Sequence, residues 1–244
     1  MDAVVFDLKG KVAHFRRPDT TATQLTYPFI TPTAAKGLVG SILGKTDFVT
    51  NDQIGIQLLQ PVRTSAQQLS LIGKDAGKSF NRPTTMELLV APAYRLYYVG
   101  DEHVTELAEK LNSRQSVYHT YLGVAFALTF PELVTYETDV QTLNTADASN
   151  TENASSAANV AEDDVIETPA VVPTQLVREL ILEEERYYSR AGGFMQDYLG
   201  ERTFERSLAY IYEKDGRPIS FRLNHKAEAS CRVAYIGGKA ICLV

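Results

Sequence analysis

The chain has 244 residues, 44 % hydrophobic and 22 % charged, with two Cys, no Trp and a formal net charge of −6. That length allows one large domain or a core with a smaller appendage, and the composition excludes a fibrous, membrane-spanning or wholly disordered chain. The negative total alone argues against a nucleic-acid partner, yet it is unevenly spread: residues 1–137 carry 13 basic and 13 acidic side chains, residues 138–170 none and 7, and residues 171–244 carry 11 and 10, so the body is near neutral and leaves room for a basic groove.

The opening MDAVVFDLKG has an acidic second residue and a short apolar run, and reads as a strand, not a signal peptide. Strand character extends through AVVFDLKGKVAHF. TPTAAKGLVGSIL then reads as a helix, with Thr31 or Thr33 as its cap, Pro32 in its first turn and an apolar face. Gly37 and Gly40 inside it point to close packing against a sheet. A strand around IGIQLLQPVRT precedes a connection of about thirty residues, 64–91, too long for an ordinary hairpin loop. Its apolar flanks and the turn residues between Lys74 and Ser79 predict an extended projecting ribbon. APAYRLYYVG follows as a strand, DEHVTELAEKLNSR as a helix whose acidic start and basic end match the helix dipole, and VAFALTF as a closing strand. The order is β-α-β-β-α-β, so the expected class is α+β, a ferredoxin-like or RRM-like core over residues 1–137 with the ribbon at 64–91. That topology hosts many functions.

Residues 138–170, rich in Ala, Asn, Ser, Thr and acid, bury too little apolar surface to offset the entropy of ordering and read as an acidic flexible loop or linker. Residues 171–244 alternate apolar and polar positions as a small antiparallel β region, with hairpin signals at Asp215-Gly216 and Gly237-Gly238.

Two stretches nearly spell a phosphate-binding loop. In Gly73-Lys74-Asp75-Ala76-Gly77-Lys78-Ser79 three residues separate the glycines where four are needed, and the run from Gly40 to Thr46 has the same short spacer. Neither follows a strand and opens a helix, so a nucleotide cofactor is not expected. Cys231 and Cys242 lack zinc or disulfide spacing and read as buried thiols of a reducing cytoplasm; no metal site is expected.

The residue types that suit nucleic acid fall in three places. Lys74, Lys78, Ser79, Asn81 and Arg82 sit on the ribbon, where cations and amides meet phosphates. Arg16 and Arg17 follow the first strand and suit either phosphate or surface ion pairs. Thr31 and Thr33 either hold a phosphate at the helix start or simply cap it, and Lys36 reaches solvent or RNA. Tyr94, Tyr97 and Tyr98 on a strand read as core before they read as base-stacking groups, and Tyr118 and Tyr121 carry the same two readings. Of the histidines, His103 sits in an acidic helix start and reads as solvated, while His14 and His119 could approach a site and His225 precedes a lysine.

Several segments together resemble the CRISPR-associated Cas5 family. They are FDLKGKVAHFRRPD, the Tyr27-Pro28 pair followed by Pro32-Thr33-Ala34, Gly37 and Gly40, the NRPTTMELLVAPAYR strand, closest to the type I-B branch, and YHTYLG before the next strand. The resemblance spans most of residues 5–130 and implies a RAMP core with a thumb ribbon. It implies a cytoplasmic subunit that grips the 5′ handle of CRISPR RNA (crRNA) in a type I surveillance complex (Cascade). Its neighbours there would be the backbone subunit (Cas7) and large subunit (Cas8), with the processing endonuclease (Cas6) reached through the RNA and target DNA met indirectly. One branch of the family cuts crRNA with a Tyr, Lys and His set; the adjacent Lys-His pair of that branch is missing here, so no catalytic residue is assigned and the expected role is non-catalytic. Endoribonuclease activity and a purely protein-bridging role are the alternatives.

Overall fold

The computed structural model describes residues 1–20, 22–75, 77–143, 165–225, 227 and 230–244. Four strands, β1 (Asp2–Lys9), β2 (Gln53–Leu58), β3 (Ala93–Gly100) and β4 (Glu132–Glu137), make a sheet of spatial order β2-β3-β1-β4, each neighbour antiparallel. Helix α1 (Pro32–Leu43) lies between β1 and β2 in the chain, and α2 (Val104–Asn112) between β3 and β4. The result is an α+β fold, and no helix among the described residues is long and apolar enough to cross a membrane.

Alternation along the strands sorts the sheet into two faces. Val4, Phe6 and Leu8 join Ile54, Ile56, Tyr94, Leu96 and Tyr98 in the core that α1 and α2 close with Leu38, Ile42, Val104 and Leu107. Ala3, Val5, Tyr97 and Val99 face the other way, against Ala234, Ile236, Ile241 and Leu243 of a hairpin formed by Arg232–Ile236 and Lys239–Leu243. Gly237 and Gly238 turn that hairpin with φ of 57° and 71°, the left-handed geometry that a two-residue turn requires. Both faces of the sheet are therefore covered here, and the buried Tyr94, Tyr97 and Tyr98 belong to the core.

Thr31 is the cap of α1: its Oγ1 accepts the N–H of Ala34 at 3.1 Å, and Pro32 occupies the first turn where a missing N–H costs nothing. The two helix glycines differ. A Cβ at Gly40 would lie 2.8 Å from Phe48, so close packing there is against the Phe48 ring and not the sheet, whereas a Cβ at Gly37 would meet nothing within 4 Å. Helix α2 has no side-chain cap of its own. Asp52, buried just ahead of β2, accepts instead from the N–H groups of Asp101, Glu102 and His103 at 3.1, 3.1 and 2.9 Å, which satisfies the orphan donors of the helix start.

Three expectations need correction. VAFALTF is not the closing strand; it forms a turn held by Ala127 N–H to the Val124 carbonyl and an isolated Tyr121–Leu128 bridge, and the strand is Glu132–Glu137. The reason is Gly123, whose φ of 83° bends the chain against His14, with a Cβ there only 2.0 Å from the His14 carbonyl oxygen. Asp215-Gly216 does not join paired strands, since Thr203–Glu213 pairs with Tyr188–Gly200 while Ile219–Leu223 pairs with Val165–Thr168 and Val177–Ile181. The buried Glu213 carboxylate makes that turn by accepting from the N–H groups of Tyr187, Asp215 and Arg217. The ends of the acidic stretch are also paired: Gln141–Leu143 lies against Val233–Tyr235, and Val165–Thr168 against Ile219–Arg222. The loop reading of residues 144–164 lies outside the described residues.

Candidate nucleic-acid interface

Thr64–Asp75 and Lys78–Val90 pair from Thr64 opposite Leu89 to Asp75 opposite Lys78. At about 3.3 Å per residue the ribbon is roughly 40 Å long. Its base is held by buried Met86, Leu88 and Leu89 and by short pairings of Val12–Ala13 and Thr23–Gln24 with the second strand. From Lys78 to Pro83 that strand is exposed.

Paired residues share a face of the ribbon and successive residues alternate, which divides the five ribbon candidates. Lys74, Ser79 and Asn81 lie on one face with Ile72, which is 81 % exposed, and Ser70 donates its hydroxyl to Asn81 Oδ1 there. Lys78 and Arg82 lie on the other face, with Phe80 between them. The Phe80 ring rests on Gly73, where a Cβ would approach it to 2.6 Å, and it remains 48 % exposed. Glycine opposite phenylalanine leaves the ring flat against the backbone with one side open. The stripe Lys78-Phe80-Arg82 thus alternates cation, aromatic face and guanidinium on one surface, an arrangement that can hold two phosphates and stack one base.

Arg16 and Arg17 belong to the ribbon's base. Arg16 bridges Thr26, Arg17 donates its N–H to the Leu25 carbonyl at 2.9 Å, and Thr26 N–H reaches Glu87 Oε2 at 3.1 Å. The Arg16 guanidinium is exposed; that of Arg17 pairs with Asp19 at 2.6 Å, which raises the arginine pKa and lowers that of the carboxylate. Thr85, beside this base, lies seven positions along the strand from Lys78, a span of roughly 20–25 Å.

The remaining candidates meet a second ribbon, Tyr188–Gly200 with Thr203–Glu213, whose two-residue tip Glu201-Arg202 has φ of 49° and 62°. It lies over α1. Phe194 stacks on Phe29 at 5.0 Å, Tyr27 donates its hydroxyl to the Gly193 carbonyl, and Thr33 donates to the Met195 carbonyl. With Thr31 bonded to Ala34 and Thr33 to Met195, both hydroxyls at the helix start already have protein partners. Lys36, one turn on, lines a cleft of about 270 Å³ between α1, the Lys45–Thr50 loop and the second ribbon. Burial pushes its ammonium below the ordinary lysine value, against the pull of Asp197 and Asp52.

His14 is buried, with Nδ1 2.8 Å from the Glu87 carbonyl oxygen, and His119 is exposed. His103 is less solvated than the sequence suggests: its ring packs on Phe48 at 5.2 Å and its Nδ1 lies 3.0 Å from Lys45 Nζ, which also pairs with Glu106 at 3.3 Å.

The family described as CRISPR-associated protein (Cas_Cas5) matches residues 3–161. The chain belongs to the CRISPR-associated Cas5 family. The matched span takes in the central sheet, both helices and the first ribbon, and stops before the second. No curated protein matches the chain. Among solved structures, a CRISPR protein from Archaeoglobus fulgidus superposes with a TM-score of 0.55 at 11 % identity, covering 99 % of this chain and 98 % of that one. A chain of a structure described as a CRISPR RNA-guided surveillance complex gives 0.54 at 11 % identity, covering 88 % and 91 %. At such identities the likeness is one of fold.

Sequence reasoning about this family member missed Phe80 and, within the expected β region of residues 171–244, the long second ribbon that docks on α1. Phe80 has a legible signal, an aromatic residue at i+2 from Lys78 and i−2 from Arg82 in an extended segment. The second ribbon has none as clear, because Ala191-Gly192-Gly193 interrupts its alternation and the register shifts between Ala191 and Phe194.

Proposed function

We propose that this Cas5-family chain is a non-catalytic crRNA-binding subunit of a type I surveillance complex, an RRM-like RAMP core whose first ribbon is the thumb that grips the RNA 5′ handle. The observation that carries this reading is the exposed Lys78-Phe80-Arg82 stripe on a ribbon projecting from the core. Family membership supports it, as does the exposed Arg16 guanidinium at the ribbon's base. The chain acts by phosphate contact and stacking, so its affinity for RNA falls with salt.

The test is binding of CRISPR repeat RNA across a salt series. Lys78→Ala with Arg82→Ala should lower the slope of log K against log salt by about 1.4, two phosphates at ~0.7 each. Phe80→Ala should weaken binding by about 1–3 kcal/mol and leave the slope unchanged. Unchanged binding in both variants sinks the thumb reading. On a denaturing gel with chelator present the RNA should stay whole; a single cut lost on His119→Ala would make the chain a processing endonuclease.

A second reading, that the chain mainly bridges protein subunits, is favoured by one feature. Val117, Tyr118, Tyr121, Phe126, Leu128 and Phe130 are exposed on neighbouring stretches, Phe130 by 76 %, a density of apolar groups suited to protein contact. We propose this as the face toward the backbone or large subunit. Leu128→Ser with Phe130→Ser should reduce co-purification with those subunits severalfold while RNA affinity stays within error; retained co-purification places the contact elsewhere.

A further inference from the structure

Lys36 is half-buried at the edge of the cleft. Its ammonium has no hydrogen bond or ion pair among the described residues, and the charged groups that influence it are engaged elsewhere. Asp197 pairs with Arg206, Asp52 takes three backbone N–H groups, and Glu102 accepts from Thr50 and Asn51. Partial burial already holds its pKa below the ordinary lysine value, and a ligand in the cleft that supplies acceptors would give the ammonium the hydrogen bonds it lacks.

The cleft it lines has the chemistry of one such ligand. Its walls include Phe48, packed on His103, and Tyr198, packed on Phe204 at 5.3 Å with its hydroxyl donated to Asp47. Carboxylates of Asp47 and Asp197 also line it, and Gly37 leaves the helix side open. A cavity of roughly 150 Å³ takes a benzene ring, so about 270 Å³ admits a fused two-ring base. Lysine suits the O6 and N7 acceptors of guanine, and a carboxylate suits the donors on its N1 and N2. Adenine would turn an amino group toward Lys36.

We propose that this cleft binds an unstacked guanine base, with Lys36 donating to O6 or N7, Asp47 accepting from N1 and N2, and Phe48 and Tyr198 bounding the ring. The inference deepens the RNA-binding reading and rests on it for the source of the base, although a free guanine nucleotide has the same chemistry.

The probe is GMP, followed by ligand-observed NMR against the full chain, with AMP, CMP and UMP alongside and repeat RNA binding measured in parallel. GMP should bind about tenfold or more tightly than AMP, a ratio expected from one good base-edge pairing. Lys36→Met, which keeps the apolar stem, should abolish that preference and leave the protein folded. Gly37→Leu, which fills the cleft from open space on a helix that prefers leucine to glycine, should block GMP and leave the protein folded. Equal binding of all four nucleotides, or no GMP binding while repeat RNA binds normally, overturns the guanine site and leaves the thumb reading standing. GMP binding lost in both variants, with no repeat RNA bound by the unaltered chain, keeps the site for a free nucleotide and overturns the RNA reading.

Discussion

Phe194→Ala should destabilise the protein by about 3–5 kcal/mol. The side chain is fully buried and meets three rings: Phe29 stacked at 5.0 Å, Tyr27 at 4.5 Å and Tyr210 edge-on at 4.9 Å. Truncation removes a phenyl group from water exclusion and leaves a cavity that the rings packed around it cannot close. The effect also reaches the candidate cleft, because Gln196, Asp197 and Tyr198 follow shortly after Phe194 on the same strand, which Phe194 seats over α1. Urea unfolding monitored by near-UV and far-UV signals checks this. A loss below 1 kcal/mol would show that the second ribbon is held by its hydrogen bonds, those of Tyr27 and Thr33 to its carbonyls, and not by aromatic packing.

The second large effect is expected from Asp52→Ala, a loss of about 3–5 kcal/mol. Three backbone N–H groups, of Asp101, Glu102 and His103, lose a charged acceptor at once, and each such bond is worth roughly 1.5–3 kcal/mol, less when the losses share one rearrangement. Asp52→Asn should cost about half as much, since one of its two acceptor oxygens remains. Gly100→Ala tests the same contact from the opposite side: a Cβ there would fall 1.8 Å from Asp52 Oδ1 and displace the carboxylate. Equilibrium denaturation of the three variants should rank Asp52→Ala and Gly100→Ala together and Asp52→Asn between them and the parent. Equal stability of Asp52→Ala and the parent would mean that water replaces the carboxylate at the start of α2. Because Lys45 bonds His103 at that same helix start, the alanine variant should also loosen the loop that carries Phe48 and borders the cleft.

Much of this architecture is local chemistry that a sequence displays. Pro32 after Thr31 fixes the start of α1, and the polar and apolar alternation of Ala93–Gly100 announces a strand. The first ribbon is legible for the same reason, two long β-prone runs around a Gly-Lys turn, and the resemblance of its flanking motifs leads to the family that residues 3–161 match. The errors came where a long-range contact outweighed a local preference. VAFALTF is apolar enough for a strand, but Gly123 must approach His14 and bends the chain first, so the less apolar ELVTYE pairs with β1. Asp215-Gly216 has the composition of a hairpin, yet the buried Glu213 gathers the surrounding N–H groups and sends the two strands to different sheets.

For the candidate sites, sequence alone determined which residues are chemically suited to RNA: cations and amides on the ribbon, arginines after the first strand, a lysine on the first helix. The tertiary structure decided how they group. Alternation and register put Lys78 and Arg82 on one face with Phe80, and Lys74, Ser79 and Asn81 on the other. Docking of the second ribbon engaged the hydroxyl of Thr33 and left Lys36 lining a cleft bounded by residues about 160 positions away. Residue type and spacing follow from covalent order and local propensity, whereas the environment of a charge depends on which distant surface is buried against it, and that is set only when the chain packs.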